Sequence, residues 1–252
     1  METQHSHRPP ASARLLASLA ACGLALSALG QSDRVVIDAE AGYAITWDGN
    51  NGGYGSPEPG AGPSDNAALY THGTIAFGSS EVGLNLHFIF NVNDGYYGNS
   101  SSWIPDFIAV PDPDPFIGLS FAQAVAVSSI AWGRDNADAT EPACGGTCMD
   151  RCVGVYTLQV TRAANPDVST PETGDAATGW ATIGTVEYLA GADTPFFSAF
   201  LRHRFDVAAD GSPIQATGLR IKVSNNAMAI DEIEVNPEPD PLPPISNYIV
   251  LE

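Results

Sequence analysis

The chain has 252 residues, 44% of them hydrophobic and 15% charged, with 25 Gly and 19 Pro. So apolar and weakly charged a composition excludes a disordered chain, and so much glycine and proline excludes a helical bundle or coiled coil. Nine Arg and one Lys (Lys222) stand against 29 carboxylates, and the formal net charge of −19 repels phosphate backbones and excludes nucleic acid as a partner.

The first thirty residues read as a secretory signal peptide. His5, His7, Arg8 and Arg14 form a positive start, Leu15 to Leu29 is apolar but for Ser18, Gly23 and Ser27, and Ala28-Leu29-Gly30 supplies the small residues of a cleavage site before Gln31. A membrane anchor is the competing reading, but the stretch falls short of the ~20 residues of a comfortable span. Leu19-Ala20-Ala21-Cys22 also fits a bacterial lipoprotein signal, although apolar sequence continues past Cys22. No other stretch is suited to an integral membrane span. The protein is therefore expected to be secreted or held at the cell surface.

Val35-Val36-Ile37 and Tyr43 to Trp47 read as two short strands, within a segment 31–66 that ends in a loop. Gly49 to Asn66 carries six Gly and three Pro in eighteen residues and has no means of forming a core. From Ala67 the pattern is all-β. Phe116 to Phe121 and Ala124 to Trp132 are strand-like. Gly154 to Thr161 sets Tyr156, Leu158 and Val160 on one face and Thr157, Gln159 and Thr161 on the other. Trp180 to Leu189, Phe197 to Val207, Leu219 to Val223 and Met228 to Val235 complete the series. Asp94-Gly95, Asp210-Gly211 and Asn225-Asn226 punctuate it as turns. Short strands with turn-rich connections predict an antiparallel β-sandwich. Residues 237–252 form a tail with five prolines between Pro237 and Pro244, an extended linker. Its end, Asn247 to Glu252, has the pattern of Arg34 to Asp38, and reads as a frayed strand or as the start of a second copy.

Beyond the signal, three cysteines remain, Cys144, Cys148 and Cys152, at i, i+4 and i+8. In an exported protein the default is a disulfide, which leaves one thiol free or paired with another chain. A zinc site would want a fourth ligand, and no His lies nearby in sequence.

Five segments carry a resemblance. They are Gly73 to Glu81; Asn93 to Asn99 with Ser102-Trp103-Ile104; Ile130 to Asn136; Asp150-Arg151 with Tyr156 to Gln159; and Ala216 to Ile221 with Ala229 to Ile233. In this order they resemble the discoidin-like, or coagulation-factor type C, domains of exported bacterial proteins, which are galactose-binding-like jelly-roll sandwiches. The resemblance covers roughly residues 67–236. The Cys144–Cys152 stretch departs from it as a loop insertion, and 34–66 lies outside it.

The resemblance implies binding through loops at one end of the sandwich, to a glycan, a lipid head group or a protein. It also implies a structural calcium, Ca2+. Calcium takes six to eight oxygen ligands. Asp94 brings a carboxylate on a tight turn, Ser101 sits where similar domains carry a hydroxyl ligand, and Glu232 lies in the final strand on the face of Met228 and Ile230, where burial would demand a partner. The bland alternative leaves Asp94 as a turn cap and Glu232 in solvent. For the ligand, Tyr96 and Tyr97 on the Asp-Gly turn offer an aromatic platform, with Trp103 beside it and Arg134, Asp135 and Arg151 flanking strands. Trp132 and Trp180 read as core. Arg134, Asp135 and Arg151 serve equally as an internal brace.

No Gly-x-Ser-x-Gly elbow, His-Glu-x-x-His or Walker loop is present, so the chain reads as non-catalytic. The expected function is a secreted carbohydrate-binding module that attaches to cell-surface or extracellular glycans. The alternative is an extracellular protein-interaction or adhesion domain without a sugar site.

Overall fold

The computed structural model describes residues 35–47, 60–97, 102–133, 151, 153–189 and 202–236. The signal peptide, the three cysteines, Ser101, Arg134, Asp135 and the proline-rich tail lie outside these residues.

Twelve strands run along the described chain: β1 Val35–Ala39, β2 Tyr43–Trp47, β3 Gly60–Ala61, β4 Ile75–Gly78, β5 Tyr96–Tyr97, β6 Phe116–Val127, β7 Ser129–Gly133, β8 Gly154–Thr161, β9 Ala181–Tyr188, β10 Arg202–Ala209, β11 Ile214–Val223 and β12 Ile233–Val235. Among the described residues, helix is limited to two 3-10 turns, Tyr70–His72 and Ile89–Asn93. A six-stranded sheet has the order β1-β9-β8-β11-β6-β4 and a four-stranded sheet the order β12-β7-β10-β2. Every pairing is antiparallel, and the two sheets form the expected β-sandwich.

The alternation in β8 sends Tyr156, Leu158 and Val160 into the core between the sheets. Trp132 and Phe205 come from the four-stranded sheet and stack with centroids 5.0 Å apart. Across from them, Tyr156 and Tyr188 of the six-stranded sheet approach Trp132 at 5.2 and 6.2 Å. Each such pair contributes about 0.5–1.5 kcal/mol beyond its burial. Trp132 and Trp180 are both core, as their strand positions predict.

The other face of β8 is not solvated. The segment 162–180 crosses it and buries Gln159 and Thr161. Arg220 lies there between the rings of Phe116 and Trp180, 4.7 and 4.9 Å from their centroids. Its Nε donates to Gln159 Oε1 at 2.7 Å and its Nη2 to Glu172 Oε2 at 2.9 Å. Lys222 donates to the same Glu172 oxygen at 3.0 Å.

The segment 31–66, set apart in sequence from a sandwich beginning at 67, contributes β1 and β2 to the two sheets. β1 pairs with β9 at one edge of the larger sheet, and β2 with β10 at one edge of the smaller. The turn at Gly42 thus sends consecutive strands into different sheets. Gly184 permits the close approach of β1, because at φ +155 a Cβ there would sit 2.5 Å from the Asp38 carbonyl. One expectation needs correction: Phe116 to Val127 is one twelve-residue strand rather than two runs. The Asp210-Gly211 turn is as read: φ is +48 and +78, the primed geometry that suits a two-residue hairpin.

Candidate functional site

The last strand organises the site. Ile230 and Ile233 both belong to the core cluster, although three positions apart. The chain therefore leaves strand alternation at Asp231-Glu232, and Glu232 does not share the face of Ile230. Glu232 and Glu234 instead occupy the other face of the β12 segment, which the segment 60–97 covers, and both are fully buried.

Each buried carboxylate is met by that covering segment. Glu232 Oε2 accepts from the Gly95 backbone N–H at 3.1 Å, and Oε1 from Asn66 Nδ2 at 3.3 Å. The Tyr97 hydroxyl donates to Glu234 Oε1. Asn66 is the anchor of the arrangement. Its Oδ1 accepts from the backbone of Ala68 and of Val235, each at 2.8 Å, and its Nδ2 also donates to Ile233 O at 2.9 Å. Asn93 donates to the carbonyls of Ala68 and Thr74, each at 3.1 Å, and so holds the 3-10 turn Ile89–Asn93 that leads into the Asp94-Gly95 turn. Sequence reading missed both asparagines. The available signal was an Asn at the end of a Gly/Pro loop, directly before an apolar run.

The charge balance is unusual. Burial holds the Glu232 carboxyl well above its ordinary range; the Gly95 N–H opposes this, and the charges of Asp94, Glu234 and Asp231 add to it. Burial also raises Asp94, partly offset by the Tyr96 backbone N–H that reaches its Oδ1 at 2.8 Å. Among the described residues no Lys or Arg pairs with Glu232. Asp94 and Glu232, distant in sequence, thus lie about one turn, and each already accepts a hydrogen bond from an N–H of that turn. Among the described residues no three His, Cys, Asp and Glu side chains are grouped to hold a metal, so a cation there would need hydroxyl or backbone oxygens as well.

The aromatic platform divides. Tyr96 is 58% exposed. Tyr97 is buried, its ring against Gly133, where any Cβ would overlap it. It is a core side chain with a buried hydroxyl partner, not a stacking surface. Trp103 is likewise corrected: it is fully buried, its indole N–H donates to Ser80 O at 2.8 Å, and its backbone pairs with Ile230. Neither face of its ring is open to a ligand.

The connection from β7 to β8 is held at both ends by one short stretch. Gly133 N donates to Glu232 O at 2.8 Å and Gly133 O accepts from Asp231 N at 3.1 Å, while Ala229 N donates to Arg151 O at 3.0 Å. Arg151 is half-buried there, and Arg134-Asp135 follow Gly133 directly in sequence.

No family model matches the chain, and no curated protein matches it. Among solved structures it is similar to the family 32 carbohydrate-binding module of Clostridium perfringens NanJ, in complex with galactose, at 16% identity and TM-score 0.37 over 68% of this chain and 97% of that one. It is similar to the Streptococcus pneumoniae fucose binding module SpX-3 at 13% identity and TM-score 0.41, over 68% and 96% of the two chains. A third is chitosan-binding module 2 of a Paenibacillus sp. IK-5 chitosanase/glucanase, in complex with chitotriose, at 17% and 0.40, over 68% and 98%. The two described sheets form an antiparallel β-sandwich, the fold class that the resemblance of the five sequence segments implies. No described helix is long and apolar enough to cross a membrane.

Proposed function

We propose that the protein is a secreted, non-catalytic carbohydrate-binding module, and that its glycan site lies at the Gly133 end of the sandwich. The observation that carries this reading is the clamping of both ends of the β7–β8 connection to Ala229–Glu232. Gly133, which Arg134 and Asp135 follow in sequence, and Arg151 are both tied to that one stretch, and Arg134, Asp135 and Arg151 would be the polar groups offered to a sugar. Guanidinium and carboxylate groups offer the paired donors and acceptors that vicinal hydroxyls take. Tyr96, exposed on the neighbouring turn, would supply a stacking face.

Calcium fits the chain beside that site. Asp94, Ser101 and Glu232 would hold it with backbone carbonyls of the turn, and the ion would neutralise the Glu232 carboxylate, which among the described residues has no basic partner. Its role would be to brace the Asp94–Tyr97 turn against β12. Export also favours oxidation of two of Cys144, Cys148 and Cys152, which would shape the connecting loop.

The exposed side chains of Leu84, Leu86, Phe90, Phe107, Ile108 and Val110 favour the second reading, a protein-interaction domain. A glycan array probed with the exported chain and with Arg151→Ala separates the two. Binding that Arg151→Ala weakens tenfold or more supports the sugar site. An array with no bound glycan, alongside capture of an extracellular protein, would overturn it.

A further inference from the structure

At the opposite end of the sandwich lies a cleft of about 470 Å³, lined by Tyr43, Arg162, Asp175, Ile214, Gln215 and the backbone around Gly174. β10 separates the two ends: Arg202 pairs with Gly133, and Ala209 pairs with Tyr43. Its seven residue steps at ~3.3 Å each put the cleft about 23 Å from the Gly133 end.

We infer that this cleft is a second glycan-binding site that takes a neutral sugar. It goes beyond the site proposed above and shares no residue with it. Three observations carry it. First, the walls are rigid. Tyr43 begins β2, and Tyr43, Ala176 and Ala209 pack against the core. The loop wall is tied by Arg162 N to Ala176 O at 2.6 Å, by Gly174 N to Trp180 O at 3.0 Å and by Thr178 and Gly179 N–H to Asp175 O, both at 3.0 Å. Second, three of the four polar side chains are uncommitted; the fourth, Asp175, accepts the Ala177 backbone N–H on Oδ1 at 2.9 Å and keeps Oδ2 for a ligand. Among the described residues the Arg162 guanidinium makes no ion pair or hydrogen bond, nor do the Gln215 amide and the Tyr43 hydroxyl make any. An idle guanidinium is notable in a chain with 29 carboxylates and ten basic residues. Third, the set is balanced. Arg162 only donates, Asp175 only accepts, Gln215 does both, and Tyr43 adds a ring face. One positive and one negative group cancel, which favours hydroxyls over an anionic ligand. The mixture of donors, acceptors and a ring suits a polyol with one apolar face.

The test uses the full exported chain, an array of neutral oligosaccharides and uronate-terminated ones, and two double variants: Arg162→Ala with Asp175→Asn, and Arg134→Ala with Arg151→Ala. Arg162 and Asp175 are exposed, and their backbone bonds survive the changes, so the first variant should melt with the wild type. In 15N-labelled protein titrated with a neutral sugar from the array, resonances of Gly174, Ala176 and Gln215 are expected to shift. The cleft variant should lose those shifts and at least about tenfold in affinity for some neutral glycans. The Arg134/Arg151 variant should keep them. If the cleft variant binds every neutral glycan as the wild type does, the cleft is overturned while the Gly133-end site stands. Binding lost only in the cleft variant upholds the cleft and overturns the other site. Arg162-dependent binding of uronates alone overturns the neutral-sugar assignment. An array with nothing bound overturns both.

Discussion

Adjacent residues on one turn have opposite fates. Tyr96 is exposed, while Tyr97 packs on Gly133 and gives its hydroxyl to the buried Glu234. Tyr97→Phe removes that donor from a buried carboxylate, and unfolding measurements should show a loss of about 1–3 kcal/mol. Tyr96→Ala should change stability by less than about 0.5 kcal/mol and weaken glycan binding instead. Equal stability losses in the two variants would refute the assignment of faces. Glu232 extends the same logic. With excess calcium, a ligand bound only by the folded chain adds about 2.7 kcal/mol at a hundredfold excess over its dissociation constant. The melting temperature should therefore rise with calcium, and Glu232→Gln should abolish most of the rise. Identical melting in chelator and in millimolar calcium would return Asp94 and Glu232 to a purely structural pairing.

Among the elements, the two edge strands and the brace over the six-stranded sheet are the informative ones. A chain that starts at Ala67 would lack β1 and β2, stripping one edge from each sheet and the buried Val35 and Ile45. Each such side chain contributes about 1.5–3 kcal/mol, so the shortened chain should be several kcal/mol less stable or insoluble. Soluble, equally stable material in a thermal melt would support 67 as the boundary. The brace has a pH signature. Burial pushes the Glu172 carboxyl up, but hydrogen bonds from Lys222 and Gln159 and the charges of Lys222 and Arg220 outweigh it and leave it below its ordinary value. A depressed carboxyl contributes stability above its unfolded pKa of 4.5 and loses it as pH falls through the lower folded value. The stability gap between wild type and Glu172→Gln should hold from neutral pH to about 4.5 and close as pH falls further. A gap that widened on acidification would contradict the sign.

For the molecule as a whole, the net charge of −19 is a standing repulsion. Salt shortens the Debye length to ~10 Å at 0.1 M, so it should relieve that repulsion. Raising sodium chloride from about 10 to 150 mM should lift the melting temperature by about 2–4 °C, equivalent to roughly 1 kcal/mol for a chain of this size. A fall would mean that screened ion pairs such as Arg220–Glu172 outweigh the general repulsion. The same field should make highly sulfated glycans poor ligands, which the array would register.

The alternation of β8, the apolar runs of β9 to β11 and the Asp210-Gly211 turn were legible in the linear chain, because strand period and turn dihedrals are local properties. The core positions of Trp132 and Trp180 followed from the same periodicity. The hydrogen bond from Gly95 to Glu232 has no signal in local pattern. Tertiary structure alone decided the rest. It turned Tyr97 and Trp103 inward, because the space they fill is made by Gly133 and by the partnering of Ile230 across more than a hundred residues. It drew β1 and β2 into the sandwich, because a short strand is stabilised by the sheet edge it joins and carries no sign of which edge that is. The far-end cleft joins the start of β2, the loop after β8 and the β10–β11 turn. Separations of that length enter a site only through pairing registers, and these are set by how two whole sheets pack rather than by any one segment.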